Sequence, residues 1–406
     1  MTISGVIVEY NPMHNGHLFH LEQTKKITNC DAIIAVMSGN FMQRGEPAFI
    51  NKWSRTKMAL LGGVDLVIEL PLIYSISSAE GFAFGAVSTL NSLGIVDNIC
   101  FGGESGDISE LTFIANILTQ EPAAYKSFLH EELKSGISYP KARENSLTNY
   151  IITNNFQNVK PDIVQNTISS SNNILAIEYI KALIKISSNI KPIKINRISN
   201  SYNEMDLTGK ISSATSIRNN FNNVKVKSSL PPFAYDIINK EINAGRGPIS
   251  LNEFSDIILY KLRNSDENYI ESLLDVNEGL HNKIKREAED CNSISQLIEN
   301  VKNKRYPKTR IQRILLYALL GIKKDFKEKI QRSPEYVRVL GFNSKGRSLL
   351  HSIKNICTLP VISNPTSKHA QLMKYDILAT DTYVLSYKDP SGKYSKQDLK
   401  TPPIIL

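Results

Sequence analysis

At 406 residues, with 41% hydrophobic and 21% charged side chains, the chain is long enough for two or three domains and too apolar for disorder. No uncharged apolar run reaches the ~18 residues of a membrane span, the start Met1-Thr2-Ile3-Ser4-Gly5-Val6 lacks the features of a secretory signal, and four scattered cysteines fit a reducing compartment such as the cytoplasm. The formal charge of +9 is uneven: residues 1–230 carry +1 and residues 231–406 carry +8, with fifteen basic against three acidic residues in 301–354.

The first hundred residues alternate as a doubly wound parallel sheet requires. Ile3–Val8 reads as a buried strand, His17–Ile27 as a helix, Ala32–Met37 as a second strand and Lys52–Leu61 as a helix. Asp65–Leu70 is a third strand, closed by Pro71; Ala79–Leu93 is a helix and Val96–Phe101 a fourth strand. Residues 108–160 read as helical insertions, Ile174–Ile186 as a helix, Pro192–Ile198 as a fifth strand, and Thr215–Phe221 opens the next helix. Asn222–Pro232 resembles a linker, which places a domain boundary near residue 230. Beyond it the pattern turns mainly helical over Phe254–Leu262, Tyr269–Leu280, Ile294–Val301, Arg310–Leu320, Pro334–Leu340 and Arg347–Ile353. Val361–Ser363 and Tyr383–Leu385 read as short β-like pieces. The expected architecture is thus an α/β catalytic domain over 1–230 and a mainly helical basic domain over 231–406.

The chemistry concentrates where the first strand ends, in Glu9-Tyr10-Asn11-Pro12-Met13-His14-Asn15-Gly16-His17. Asn-Pro breaks the strand, glycine allows close backbone approach, and free N–H groups of the new helix face the same direction as two imidazoles. Strand, His-x-Gly-His turn and helix together form a device for holding nucleotide phosphates, at the strand end where open α/β sheets bind ligands. Zinc binding by the two histidines is disfavoured, because Cys30, Cys100, Cys291 and Cys357 have no metal-type spacing; no metal-ligand set is assigned. Neither a P-loop nor a G-x-G-x-x-G fingerprint is present.

A second phosphate element is Ile211-Ser212-Ser213-Ala214-Thr215-Ser216-Ile217-Arg218, with hydroxyls at a helix start and an arginine one turn on; simple N-capping is the competing reading. Gly102 ends the fourth strand where a side chain would block an adenine or ribose. Asn172 and Asn173 precede a helix, and Arg197 closes the fifth strand. Glu104 and Asp107 are weighed as magnesium ligands against plain surface residues. The loop Ser38–Pro47 reads as too polar and glycine-rich for core, and is expected to line the second-substrate side. Trp53 and Arg55 read as packing. Lys302, Lys304, Arg305, Lys308, Arg310 and Arg313 form the densest part of a basic surface suited to a polyanion such as RNA.

Taken in order, GVIVEYNPMHNGH, MSGNFMQRGEPA, KWSRTKMAL, DLVIELP, FGGESGD, SNNILAIEYIKAL, INRI and SSATSIR resemble the tRNA(Met) cytidine acetate ligases, within the class I synthetase-like nucleotidyltransferases. The resemblance spans roughly the first 220 residues, and RVLGFNSKGR in the basic half fits it too. It implies activation of acetate by ATP to acetyl-adenylate, then acetyl transfer to the wobble cytidine of elongator tRNA(Met); the displacement at phosphorus calls for charge neutralisation, for which Mg2+ is expected beside His14 and His17. It also implies ATP contacts from Ile7, Val8, Glu9, Tyr10, Asn11, Pro12, Met13, His14, Asn15, Gly16, His17, Leu18, Phe19 and His20, from Gly102, from Asn172 or Asn173 (the second preferred), and from Arg197. Ser213, Thr215 and Arg218 join that set from the phosphate element, and His14 and His17 carry the catalytic role. Alanine at 214, where many nucleotidyltransferases carry serine, leaves the individual hydroxyl roles open. A small-molecule adenylyl- or cytidylyltransferase is the rival expectation, but it leaves the basic half without a purpose.

Overall fold

The structure, a computed structural model, describes residues 1–154, 156, 170–197 and 211–406. The far end of the 108–160 insertion and Ile198, the expected last residue of the fifth strand, lie outside the described residues. Strands β1 (Ile3–Val8), β2 (Ala32–Ser38), β3 (Leu66–Leu70), β4 (Asn98–Gly103) and β5 (Lys191–Asn196) lie parallel in the order β5-β4-β1-β2-β3. Helices α1 (Asn15–Thr28), α2 (Lys52–Leu61), α3 (Leu72–Ser75) and α4 (Ala79–Ser92) connect the first four strands. Between β4 and β5 come α5 (Ile108–Gln120), α6 (Ala123–Lys134), α7 (Tyr139–Thr153) and α8 (Ser171–Lys185).

Burial explains why these strands read as unbroken apolar runs rather than alternations. On β2, Ile34 and Val36 face one core with α4, α5 and α8, while Ile33, Ala35 and Met37 face another with α2 and the helix Pro232–Asn243. With both faces covered, every residue of β2 is buried. The chain runs outward through β1, β2 and β3, then returns to the other side of β1 with β4. The order therefore reverses between β1 and β4, and ligands of open α/β sheets bind outside the carboxyl ends of strands at such a point.

The basic half contributes to this sheet. The segment Pro334–Leu340, expected as helix, is instead irregular up to Tyr336 and then opens β6 (Val337–Phe342), antiparallel to β3 and buried along its whole length. Its composition, VRVLGF, is a strand composition, and the open edge of β3 supplies the hydrogen bonds that settle the matter. β7 (Val361–Ile362) and β8 (Ile404–Ile405) both pair with β6. Tyr383–Leu385 is not β-like: the helix Lys374–Tyr383 runs into a 3-10 turn, Val384–Ser386. The single helix expected over Tyr269–Leu280 is two, Glu267–Ser272 and Leu280–Asp290. Asp275, Glu278 and Gly279 between them adopt positive φ, which no helix tolerates. The expected linker contains a one-turn helix, Val226–Ser229, and Val226 and Leu230 are anchored in the core beside β1.

A third apolar cluster gathers the helices from Ser255–Asn264 to Lys308–Leu320, and Phe41 and Met42 belong to it. The loop Ser38–Pro47, expected to be too polar and glycine-rich for core, therefore contributes to one. Phe41 and Met42 are inserted into the helical cluster, and only Gln43, Arg44 and Glu46 stay accessible. Two buried aromatic contacts, Phe41 to Phe254 and to Tyr383, explain the departure: burying large apolar side chains outweighs the polarity of their neighbours.

Candidate active site

β1 stops at Val8, Tyr10 takes a positive φ, and His14 occupies the extended position just before α1. The backbone N–H of His14 donates to His17 Nδ1 at 3.2 Å. The two rings stack with centroids 3.7 Å apart, and Tyr10 meets His17 edge-on at 5.0 Å. A Cβ on Gly16 would come within 2.9 Å of the His14 ring, so glycine is what lets that ring lie against the helix start. Met13 and Leu18 are packing residues of the core, whereas Asn15 donates to the Ser228 carbonyl.

The protonation of the imidazoles follows from their surroundings. Burial pulls His14 down to about 3 and His20 down to about 4, helped in each case by the positive charge of Arg197. Burial lowers His17 well below its ordinary range too, with His14, Arg197 and His20 adding to the effect. At neutral pH the rings are uncharged. His17 Nδ1 is already an acceptor, so the ring carries its proton on Nε2, where it acts as a hydrogen-bond donor. Among the described residues, His14 Nδ1, His20 Nε2, the Tyr10 hydroxyl and Ser216 Oγ are buried polar atoms with no protein partner. Such groups are costly unless something satisfies them.

The far side of the switch point is built by β4, β5 and α8. Gly102 faces the Arg197 side chain, and a Cβ there would come within 3.1 Å of Arg197 Cγ. Asn173 is fully buried: its Oδ1 accepts from the Glu104 N–H at 2.9 Å, and its Nδ2 donates to Ser105 Oγ at 2.8 Å. It thus holds the loop after β4 in place, while Asn172 reaches outward to the Glu104 carboxylate. Asp107 caps α5 by accepting from the Glu110 N–H. Replacing Gly102 with alanine should leave stability nearly intact, because only a flexible side chain must move. The same change should weaken ATP binding about tenfold or more by displacing Arg197, about the cost of one charge-assisted hydrogen bond; equilibrium dialysis of the variant measures it.

The segment Ile211–Arg218, expected as a second phosphate element and some two hundred residues away in sequence, arrives beside the histidine turn. Ser213 caps the short helix α9 (Ala214–Asn219) by accepting from the Ser216 N–H. Arg218 Nη1 donates to the Asn11 carbonyl at 2.8 Å, and Nη2 to Glu46 Oε2 at 2.9 Å and Thr215 Oγ1 at 3.5 Å. Capping and proximity to the histidine turn coexist. Glu9, at the end of β1, accepts from the Gln43 N–H at 2.8 Å; burial raises its pKa, against the pull of that bond and of Arg44, Arg218 and Arg55. Arg55 is buried and donates to the carbonyls of Glu9, Ser38, Gly39 and Ile50, bracing the ends of β1 and β2. Its bracing role had no local sequence signal, because its partners are backbone carbonyls brought together only by the sheet.

The six basic residues gather at the start of the helix Lys308–Leu320 and the turn before it. Lys302, Lys304, Arg305 and Lys308 are exposed. Arg310 and Arg313 are half-buried and serve the neighbouring loop: Arg310 Nη2 donates to the Asp275 carbonyl, and Arg313 lies 3.7 Å from the Asp275 carboxylate. Arg305 pairs with Glu278 and Lys302 with Glu299.

A parallel sheet with a His-x-Gly-His turn at its switch point defines a nucleotidyltransferase, and residues 1–398 match the family described as HIGH Nucleotidyl Transferase. The chain is 47% identical, over the whole of both chains, to the tRNA(Met) cytidine acetate ligase of Acetivibrio thermocellus. It is 46% identical to that of Thermoanaerobacter pseudethanolicus, over 96% of this chain and 97% of that one. The chain belongs to the tRNA(Met) cytidine acetate ligase family. Crystal structures of Thermotoga maritima TmcAL, one bound with alpha-thio ATP and one apo, superpose over 100% of both chains with TM-scores of 0.93 and 0.94 at 37% identity.

Proposed function

We propose that this protein uses ATP to activate acetate and transfers the acetyl group to the N4 amine of the wobble cytidine of elongator tRNA(Met). The single observation that carries this reading is the gathering of His14, His17, Arg197 and Arg218 around the β1–β4 switch point in a member of that family. In the first step an acetate oxygen attacks the α-phosphorus of ATP, the bond to the β-phosphate breaks, and pyrophosphate leaves. The His17 Nε2–H donates to phosphate oxygen, and the two guanidinium groups offset charge that builds on the leaving group. In the second step the cytosine amine attacks the acyl carbon, AMP departs, and the amine loses a proton. The base must be unstacked into the site for that attack.

ATP contacts come from the turn Ile7–His20, Gly102, Arg197 and the Ser213–Arg218 element, with Asn173 shaping the adjacent loop. Magnesium would arrive with the triphosphate. It ordinarily keeps several waters and one or two carboxylates, and among the described residues no group of three or more His, Cys, Asp or Glu could hold a metal alone. Residues 1–230 form the adenylating half, and residues 231–406 hold RNA while closing the sheet edge. No described helix is long and apolar enough to cross a membrane, and a tRNA substrate supports a cytoplasmic location.

Incubation with ATP, labelled acetate and bulk tRNA, followed by nucleoside analysis, tests the reading: label must appear in N4-acetylcytidine. Acetate-independent ATP–pyrophosphate exchange would refute it. Reversing charge at Lys304 and Lys308, which hold no structural bond, should lower the log–log salt slope of tRNA binding by about 2 while sparing pyrophosphate exchange. An unchanged slope would remove this face from the RNA interface.

A further inference from the structure

The two halves of the site are joined by one carboxylate. Glu46 Oε2 accepts from Arg218 Nη2 at 2.9 Å, and Glu46 Oε1 accepts from Gln312 Nε2 at 3.2 Å. Arg218 in turn holds the Asn11 carbonyl, three residues before His14. Gln312 is 5% exposed and sits within the helix Lys308–Leu320, whose start and preceding turn carry the basic face. The connection is not a loose surface contact. Gly45 has φ +79, and a Cβ there would be 2.4 Å from the backbone nitrogen of Arg313, so the loop backbone lies directly on that helix. The turn itself is closed by the Met42 N–H to the Glu46 carbonyl at 2.8 Å and by the bridge between Phe41 and Pro47. The same loop reaches β1 through the Gln43 N–H and the Glu9 carboxylate.

We infer that Glu46 is a positioning residue that couples RNA docking on the helix Lys308–Leu320 to the placement of Arg218 at the nucleotide phosphates. This rests on the ligase reading above and adds regulation to it. The physical basis is that Arg218 divides its donors between a backbone carbonyl of the histidine turn and a carboxylate anchored to the RNA-facing helix. Fixing that helix fixes the carboxylate, and the carboxylate fixes the guanidinium. Arg218 then meets the phosphates without first losing conformational freedom, so bound RNA tightens ATP binding. Acetyl transfer needs both ligands at once, and positive coupling favours the doubly loaded enzyme. Coupling between binding sites is reciprocal, so ATP must tighten RNA binding by the same factor.

The test measures the dissociation constant of ATP by equilibrium dialysis without acetate, with and without an elongator tRNA(Met) transcript. The wild type is expected to bind ATP about fivefold or more tightly with the RNA present, and ATP should tighten RNA binding equally. Glu46→Ala and Gln312→Leu should each bring both ratios close to one. Gln312→Leu leaves the Glu46–Arg218 pair intact, so its RNA-free ATP affinity should stay within about twofold of wild type. A purely structural role for Glu46 would lower stability and ATP affinity but leave the ratio unchanged. The inference is overturned by a wild-type ratio of one, or by a ratio that survives in Gln312→Leu, which decides alone should Glu46→Ala fail to fold. Failure of the ligase reading shows differently, as absent RNA binding or absent acetate-dependent exchange in the wild type.

Discussion

His17→Ala is expected to lower acetate-dependent ATP–pyrophosphate exchange by about 100- to 1000-fold, the usual cost of removing one donor aimed at developing charge. The His17 ring is neutral when no nucleotide is bound. Burial and the nearby Arg197 keep the proton count low, and the His14 N–H occupies Nδ1, so Nε2–H is the donor that remains. Alanine removes that donor and also the acceptor that satisfies the His14 N–H, which loosens the helix start. His17→Gln, which can still present a side-chain N–H, should recover part of the loss. Binding of tRNA should stay near the wild-type level, since the basic face lies on another element. A His17→Ala enzyme with exchange within tenfold of wild type would exclude the imidazole from phosphate chemistry. An equal loss of tRNA affinity would dissolve the division of labour between the two halves.

Lys52→Met should cost about 3–5 kcal/mol of folding stability, the range for breaking one side of a buried ion cluster. Lys52 is fully buried on α2, with Nζ 2.7 Å from Glu69 on β3 and 2.6 Å from Asp398 near the end of the chain. Burial opposes its charge, and Asp398 and Glu69 more than offset that, holding the pKa above its ordinary value. Burial, with Asp398 and Asp376 alongside, pushes Glu69 up to about 7 in spite of Lys52. Removing the cation leaves two buried carboxylates without the ammonium that bonds them both, and only the more distant Arg338 guanidinium to offset their charge. The triple variant Lys52→Met, Glu69→Gln, Asp398→Asn should regain much of the loss, because it removes the stranded charges as well. Urea denaturation followed by circular dichroism reads both; a loss under about 1 kcal/mol in the single variant would show that the cluster is solvated. The effect matters for function because Asp398 and Asp376, which accepts from the Leu72 N–H at 2.7 Å, fasten the C-terminal segment onto the catalytic sheet.

Much of the site can be read locally. An apolar run, a proline break, a glycine between two histidines and the onset of a 3.6-residue period act within some fifteen residues. The strand–turn–helix they specify depends on backbone preferences that distant contacts reinforce rather than choose. Long buried runs likewise announced a two-sided parallel sheet. The loop Ser38–Pro47 and the segment Pro334–Leu340 departed from expectation for a common reason. Short stretches of mixed polarity are nearly balanced between alternatives, and partners far along the chain decide: the pocket for Phe41 and Met42 in one case, the open edge of β3 in the other.

The sequence by itself determined the strand–turn–helix at His14 and His17, the existence of the first five strands along the chain and the contrast in charge between a neutral half and a basic one. These rest on local steric preference, hydrophobic period and the simple count of charges. Only the tertiary structure decided that the histidines are neutral, that Arg218 reaches Asn11 across 207 residues, that Arg310 and Arg313 brace a loop, and that Glu46 stands between the two halves. Desolvation and ion pairing depend on which groups are brought together and how far water is removed. Those quantities come into being only when the chain closes on itself.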